Sequence, residues 1–305
     1  MHRSSRTTLA ALTLAALIAA SPARSAHLGG GLCDAGIPAD ETLGLVWFPR
    51  GDLFCPLIAD PKGDGSFLSY VRGTSTSAFG TDVGSVGIGD RLGFFRSNGP
   101  NLGEGVQLSL TGSVYAQFDL NKPSFDLINA DYQVGLPLTI RRGDFSTRIR
   151  LYHQSSHLGD EYILNNPVVR ENLAFQAFEV LVSGEQGPLR AYGGGEYLFG
   201  ANPREVETRV LHGGVELRQP GSLLPGGALR NARLIAGLDV KSVEELDWSV
   251  AWSGRAGIEF GHGAENEHRS KRWSVTGEYY DGPSPYGQFF REYVRYYGVG
   301  IHIGI

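Results

Sequence analysis

Between residues 106 and 118 the chain alternates without a break. Val106, Leu108, Leu110, Gly112, Val114, Ala116 and Phe118 hold the even positions, and Gln107, Ser109, Thr111, Ser113, Tyr115 and Gln117 the odd ones. Successive side chains on a strand point to opposite faces, so this stretch presents one apolar face and one polar face. It is longer than the usual globular strand. A tilted strand that crosses a bilayer needs about 9–11 residues, with apolar groups toward lipid and polar groups toward an enclosed lumen.

The pattern recurs. Ile128, Ala130, Tyr132, Val134, Leu136, Leu138 and Ile140 oppose Asn129, Asp131 and Gln133. Farther on, Leu246, Trp248, Val250, Trp252, Ala256, Ile258 and Phe260 oppose Asp247, Ser249, Ser253, Arg255 and Glu259. A slip of one residue would send those charges into lipid, at about 2–4 kcal/mol for an Arg at the midplane, so register is tightly specified. Strand-like stretches are expected at 67–79, 83–96, 104–119, 127–140, 144–156, 171–183, 188–199, 206–218, 230–241, 245–260, 271–281 and 290–305. Together they predict an all-β fold, a transmembrane antiparallel β-barrel of about 12 strands over residues 67–305. An even count puts both termini on the periplasmic side, which makes Arg141–Gly143 and Gly184–Gly187 short inner turns and His157–Arg170 a long external loop.

The chain opens with His2, Arg3 and Arg6, an apolar run from Leu9 to Ala20, and small residues near Ala23 and Ala26. That order reads as a signal peptide over residues 1–25. No later stretch holds 18 consecutive apolar residues, so any membrane span must be built from strands. Removing residues 1–25 deletes Arg3, Arg6 and Arg24 and no acid, which moves the net charge from -5 to -8 and argues against a nucleic-acid partner. Residues 26–66 carry Pro38, Pro49, Pro56 and Pro61 among scattered acids and read as a periplasmic lead-in or plug. The two cysteines, Cys33 and Cys55, both fall there, and an exported compartment favours a disulfide between them.

The stretches LINADY (Leu127 to Tyr132), YHQSSHLGDEY (Tyr152 to Tyr162), YGGGEY (Tyr192 to Tyr197) and EYYDGPSPYGQFF (Glu278 to Phe290) resemble an uncharacterised bacterial family, domain of unknown function 1207. The likeness runs from about Leu45 to the end. It implies an outer-membrane barrel of unknown activity, and it supplies no substrate.

YHQSSHLGDEY is the densest cluster of reactive side chains. On the phase of its strand, Phe145, Ile149 and Leu151 face lipid and Arg148 and Arg150 face the lumen, so His153 and Ser155 share the lipid side. A His two residues from a Ser on one face brings a base within reach of a nucleophile. The pair resembles that of outer-membrane phospholipase A, twelve-stranded as a class, and of lipid A deacylases, where His-x-Ser on the outer wall attacks acyl esters. Under that reading Asp160 and Glu161 are candidates for calcium. Asn165, Asn166 and Asn172 are candidates to orient the His, although none has the phospholipase spacing. The competing reading takes the run as the point where the strand leaves the bilayer, and one bulge would turn His153 inward.

Arg148, Arg150, Asp131, Asp119, Arg255, Glu259 and Asp247 are expected to face the lumen, where mixed charges can line a narrow passive pore or pair and close it. His212 and His302 are expected as lumen hydrogen-bonders, and Gly193 to Gly195 do not open a helix, so they do not cradle phosphate. No cofactor motif is present; calcium enters only with the hydrolase reading. The sequence therefore points to a monomeric barrel of the bacterial outer membrane, in contact with lipids and with the barrel-assembly machinery. Its rival class is a soluble all-β secreted domain.

Overall fold

The computed structural model describes residues 44–74, 80–101, 103–166, 173–204, 206, 208–224, 232–261 and 272–304. The expected signal peptide, Cys33, Asn172 and the last residue lie outside them. Twelve antiparallel strands close on themselves: β2 (Ser66–Gly73), β3 (Asp82–Asn98), β4 (Gly105–Asp119), β5 (Asp126–Arg142), β6 (Phe145–Leu158), β7 (Ala174–Gln186), β8 (Leu189–Asn202), β9 (Arg209–Arg218), β10 (Ala232–Val243), β11 (Ser249–Phe260), β12 (Trp273–Pro283) and β13 (Tyr293–Ile303). Each pairs with its sequence neighbours, and β13 closes the ring on β2 with Val299 opposite Tyr70. One short helix, α1 (Asp160–Asn165), follows β6.

The alternation sorts side chains as read from the sequence. Along β4 the odd positions Gln107, Ser109, Thr111, Ser113, Tyr115 and Gln117 are buried, while the even positions face outward. In β11 Ser253, Arg255 and Glu259 are buried and Val250 and Trp252 exposed. Asp247 departs from the expectation. Its backbone is left-handed (φ 51), and it caps a single helical turn ahead of β11, so it is exposed at a rim instead of facing the lumen.

A further short strand, β1 (Gly44–Trp47), falls in the range read as irregular lead-in. Trp47 pairs with Phe95 and Phe67 of β2 pairs with Gly87, so β1 and β2 occupy successive parts of the same edge of β3. After Phe48, whose N–H still bonds to Phe94 O of β3 (3.0 Å), residues 49–65 leave the wall and run inside the barrel, with Leu53, Phe54, Leu57, Ile58 and Ala59 at most 3% exposed.

Inward arginines hold this segment largely by its carbonyls. Arg96 donates to Arg50 O (2.5 Å), Arg141 to Leu53 O (2.8 Å), Arg190 to Cys55 O (3.1 Å) and Arg255 to Ile58 O (3.0 Å). Glu216 accepts the Ile58 N–H (2.6 Å), and the Phe54 ring lies between the guanidiniums of Arg148 (5.0 Å) and Arg190 (4.6 Å). Asp52 pairs with Arg91, and Asp64 pairs with Arg91 (2.9 Å) and Arg150 (3.2 Å). Buried charges persist only when each is matched, because desolvation otherwise exceeds the attraction.

Glu179 of β7 is the hub. It receives Arg148 Nε at 2.7 Å and an Arg150 terminal nitrogen at 2.8 Å, and it is fully buried. Removing one member of a buried cluster leaves charge without a counterpart, at about 3–5 kcal/mol. Glu179→Ala is therefore expected to lower the urea midpoint of the folded, heat-modifiable band by that order, while Gln133→Ala, half-buried on β5, moves it little.

Candidate functional site

β6 keeps unbroken register with both neighbours from Phe145 to Ser155, so no bulge reverses its faces. Tyr152, Gln154 and Ser156 are buried in the lumen; His153, Ser155 and His157 lie on the outward face, half-buried. On that face His153 stands between Val134 of β5 and Gln176 of β7, and Ser155 between Tyr132 and Ala174. The Gln176 side-chain amide nitrogen, Nε2, meets His153 Nδ1 at 3.2 Å. Direct opposition on adjacent strands brings side chains this close, so Gln176 is fixed by register and not by a loop. Tyr132 packs edge-on against His157 at 5.8 Å. Toward the C-terminal rim the outward neighbours are Val134, Leu136, Leu151 and Phe178, all exposed, which form an apolar strip.

The inward face of the same run ties the far rim together. The Gly287 N–H donates to Asp131 (3.0 Å), the Gln288 N–H to Asn129 (3.3 Å), and the Gln288 amide to Ser156 O (2.8 Å). Tyr152 donates to Glu196. Tyr162 of α1 stacks edge-on with Phe289 at 5.7 Å. The four sequence stretches singled out above thus meet at the far end of the lumen.

Of the predicted site residues, Asp160 and Glu161 form the exposed first turn of α1. Among the described residues no cluster of metal-ligating atoms includes them; the one such group is Glu179, Glu196 and His212, in the lumen. Two members of that group are already engaged, with arginines on Glu179 and Asp239 on His212 Nε2 (2.6 Å), and Glu196 receives the Tyr152 hydroxyl alone. His302 likewise bonds Glu278 (2.8 Å). Asn165 donates to Asp126 (3.0 Å) and Asn166 to Tyr162 O (2.9 Å), so neither is placed to orient His153. Reading by loop spacing passed over Gln176, whose signal is strand register. Cys55 is disulfide-bonded, and its sulfur lies 3.5 Å from Arg141. Burial would raise the Asp60 carboxyl, but Lys241, His212 and the Lys62 N–H outweigh it and hold it well below the usual carboxylate range.

A family model described as protein of unknown function (DUF1207) matches residues 15–305. No curated protein matches the sequence. Among solved structures, outer membrane phospholipase A from Escherichia coli is 13% identical over 81% of this chain and 92% of that one, with a TM-score of 0.51. The Salmonella typhi outer membrane phospholipase dimer with bound calcium is 13% identical over 79% and 90%, with a TM-score of 0.50. The KdgM porin is 9% identical over 79% and 99%, with a TM-score of 0.44. The fold is that of outer-membrane barrels, and this supports an outer-membrane location.

Gly159 sets how the run turns into α1. A Cβ there would stand 1.8 Å from the Leu127 carbonyl oxygen, which is backbone and cannot yield cheaply. Gly159→Ala is expected to cost about 1–3 kcal/mol, the range for overpacking. The loss should appear as a lowered urea midpoint, together with faster proteolysis at the far rim.

Proposed function

The chain belongs to the DUF1207 family, and from that premise we propose that it is a barrel of the bacterial outer membrane whose outer wall hydrolyses lipid acyl esters. Ser155 is the nucleophile, His153 the base and Gln176 the group that orients the imidazole. The observation that carries this reading is the 3.2 Å contact between the Gln176 amide and His153 Nδ1. It occupies one ring nitrogen and leaves Nε2, which has no partner among the described residues, to serve the hydroxyl two residues along the same face.

The chemistry follows from that geometry. The structure sets the Gln176 amide nitrogen against Nδ1; the proposed mechanism uses the amide rotated by half a turn, so that Oε1 accepts from Nδ1–H and the tautomer with a basic Nε2 is fixed. Nε2 takes the Ser155 proton as Oγ bonds to the ester carbonyl carbon; the deacylated lipid leaves as its alkoxide and takes that proton from the imidazolium. Water, deprotonated in turn by His153, releases the acyl group as a carboxylate and restores Ser155. Val134, Leu136, Leu151 and Phe178 give the acyl chain an apolar bed on the same face. An amide orients but does not add charge, so it stabilises the imidazolium less than a carboxylate would.

Asp160 and Glu161 are exposed carboxylates in the first turn of α1, and no step above runs through a calcium ion. The likeness to outer membrane phospholipase A is one of fold alone and does not decide the activity.

In detergent–phospholipid micelles, release of fatty acid by the purified protein should fall by about 10³-fold or more in Ser155→Ala and in His153→Ala, as for other serine hydrolases stripped of nucleophile or base. Gln176→Ala should fall by less, chiefly in kcat. Undiminished release from folded Ser155→Ala defeats the proposal.

A further inference from the structure

Inside the barrel, between residues 60–62 and the loops of the far rim, lies a cavity of about 170 Å³. Asp60, Pro61 and Lys62 of the segment that fills the lumen line it on one side, and Val206, Pro283, Ser284 and Pro285 border it at the far rim. Its volume exceeds that of cavities known to take up benzene, about 150 Å³. One side is apolar, formed by Leu173, Phe175, Leu198, Val210 and Phe290.

The opposite side is charged, and most of those charges are spent. Lys62 is held by Asp131 (2.7 Å) and Gln154 (3.1 Å), Arg150 by Glu179 and Asp64, Asp239 by Tyr192 and His212, Asp60 by Lys241 and the Lys62 N–H (3.1 Å), and Glu245 by Arg291 (2.9 Å). Two groups retain capacity. Glu196 of β8, a carboxylate with four acceptor sites, receives only the Tyr152 hydroxyl, and Lys241 of β10, with three N–H donors, gives one bond, to Asp60 (3.1 Å). They are not paired with each other, yet the register of β8, β9 and β10 sets them two residues apart: Glu196 is opposite Val210, and Lys241 opposite His212.

We propose that this cavity binds a small zwitterion with an apolar side group, the chemistry of a free amino acid such as phenylalanine or leucine. The ammonium meets Glu196, the carboxylate meets Lys241, and the side group lies against Phe175, Leu198 and Phe290. One acid and one base with unspent capacity match a ligand of no net charge, whereas a simple anion would face Glu196 and a simple cation would face Lys241. The site is separate from the outer-wall pair, because Tyr152 and Gln154 reach it from the opposite face of β6.

Titration calorimetry on the full chain in detergent micelles tests this with three probes: L-phenylalanine, 3-phenylpropanoate, which lacks the ammonium, and 2-phenylethylamine, which lacks the carboxylate. The expected result is saturable one-to-one binding of phenylalanine, with each analogue at least about tenfold weaker, the worth of one charge-assisted hydrogen bond. Glu196→Gln should weaken phenylalanine by a similar factor and leave 3-phenylpropanoate no weaker than before. Absence of saturable phenylalanine binding, equal affinity for all three probes, or an unaltered phenylalanine affinity in folded Glu196→Gln overturns the proposal. If Glu196→Gln migrates as an unfolded band, the three probes on the unaltered protein decide alone.

Discussion

A sheet that closes on itself leaves no unpaired edge, but it creates an inside whose polar side chains must find partners among themselves. In this chain that requirement shapes nearly everything in the lumen. The alternation that turns apolar groups outward necessarily turns Arg91, Arg96, Arg148, Arg150, Arg190, Arg218 and Arg255 inward, and all but Arg91 are less than a tenth exposed. Wall carboxylates such as Glu179, Glu216, Glu259 and Glu278 answer part of this charge. Backbone carbonyls and two aspartates of residues 49–65 answer much of the rest. The segment that interrupts the first strand is therefore a counterpart of the wall, and the wall's charge makes sense only with it in place.

Strand positions were legible in the sequence because period-two alternation is local and because a one-residue error is costly. The strands expected at 104–119, 127–140 and 245–260 fall within a few residues of β4, β5 and β11. Even Gly-rich β8, whose alternation is diluted by Gly193 to Gly195, sits where expected, since its pairing is imposed by β7 and β9. Features that depend on contacts distant in sequence were not legible. β1 is four residues long and has no amphipathic signal of its own; its partner on β3 lies some fifty residues later. Asp247 misled because alternation was continued through a left-handed turn that only the backbone geometry reveals.

The candidate site shows the same division. That His153 and Ser155 share a face follows from their spacing, whereas their partner comes from the next strand. A search along the following loop tested the wrong neighbours, because Asn165 and Asn166 are bound by Asp126 and Tyr162. Gln176 stands opposite His153 because β6 and β7 pair directly, with Ser155 opposite Ala174, and the connection between them is the long stretch that holds α1, so no short turn fixes that register in the sequence.

The run YHQSSHLGDEY is better understood as two interleaved sets than as one cluster. Its even members bind structure: Tyr152 holds Glu196, Gln154 meets Lys62, and the Ser156 carbonyl receives Gln288. Its odd members face outward, where His153 and Ser155 engage nothing that holds the barrel shut. Side chains that stabilise by hydrogen bonding generally have most of their capacity filled. An imidazole nitrogen and a hydroxyl left without partners on the apolar side of a strand, one residue away from fully engaged neighbours, are hard to account for by packing. The stabilising work of the run is done on its other face, and on that division the proposed chemistry of His153 and Ser155 rests.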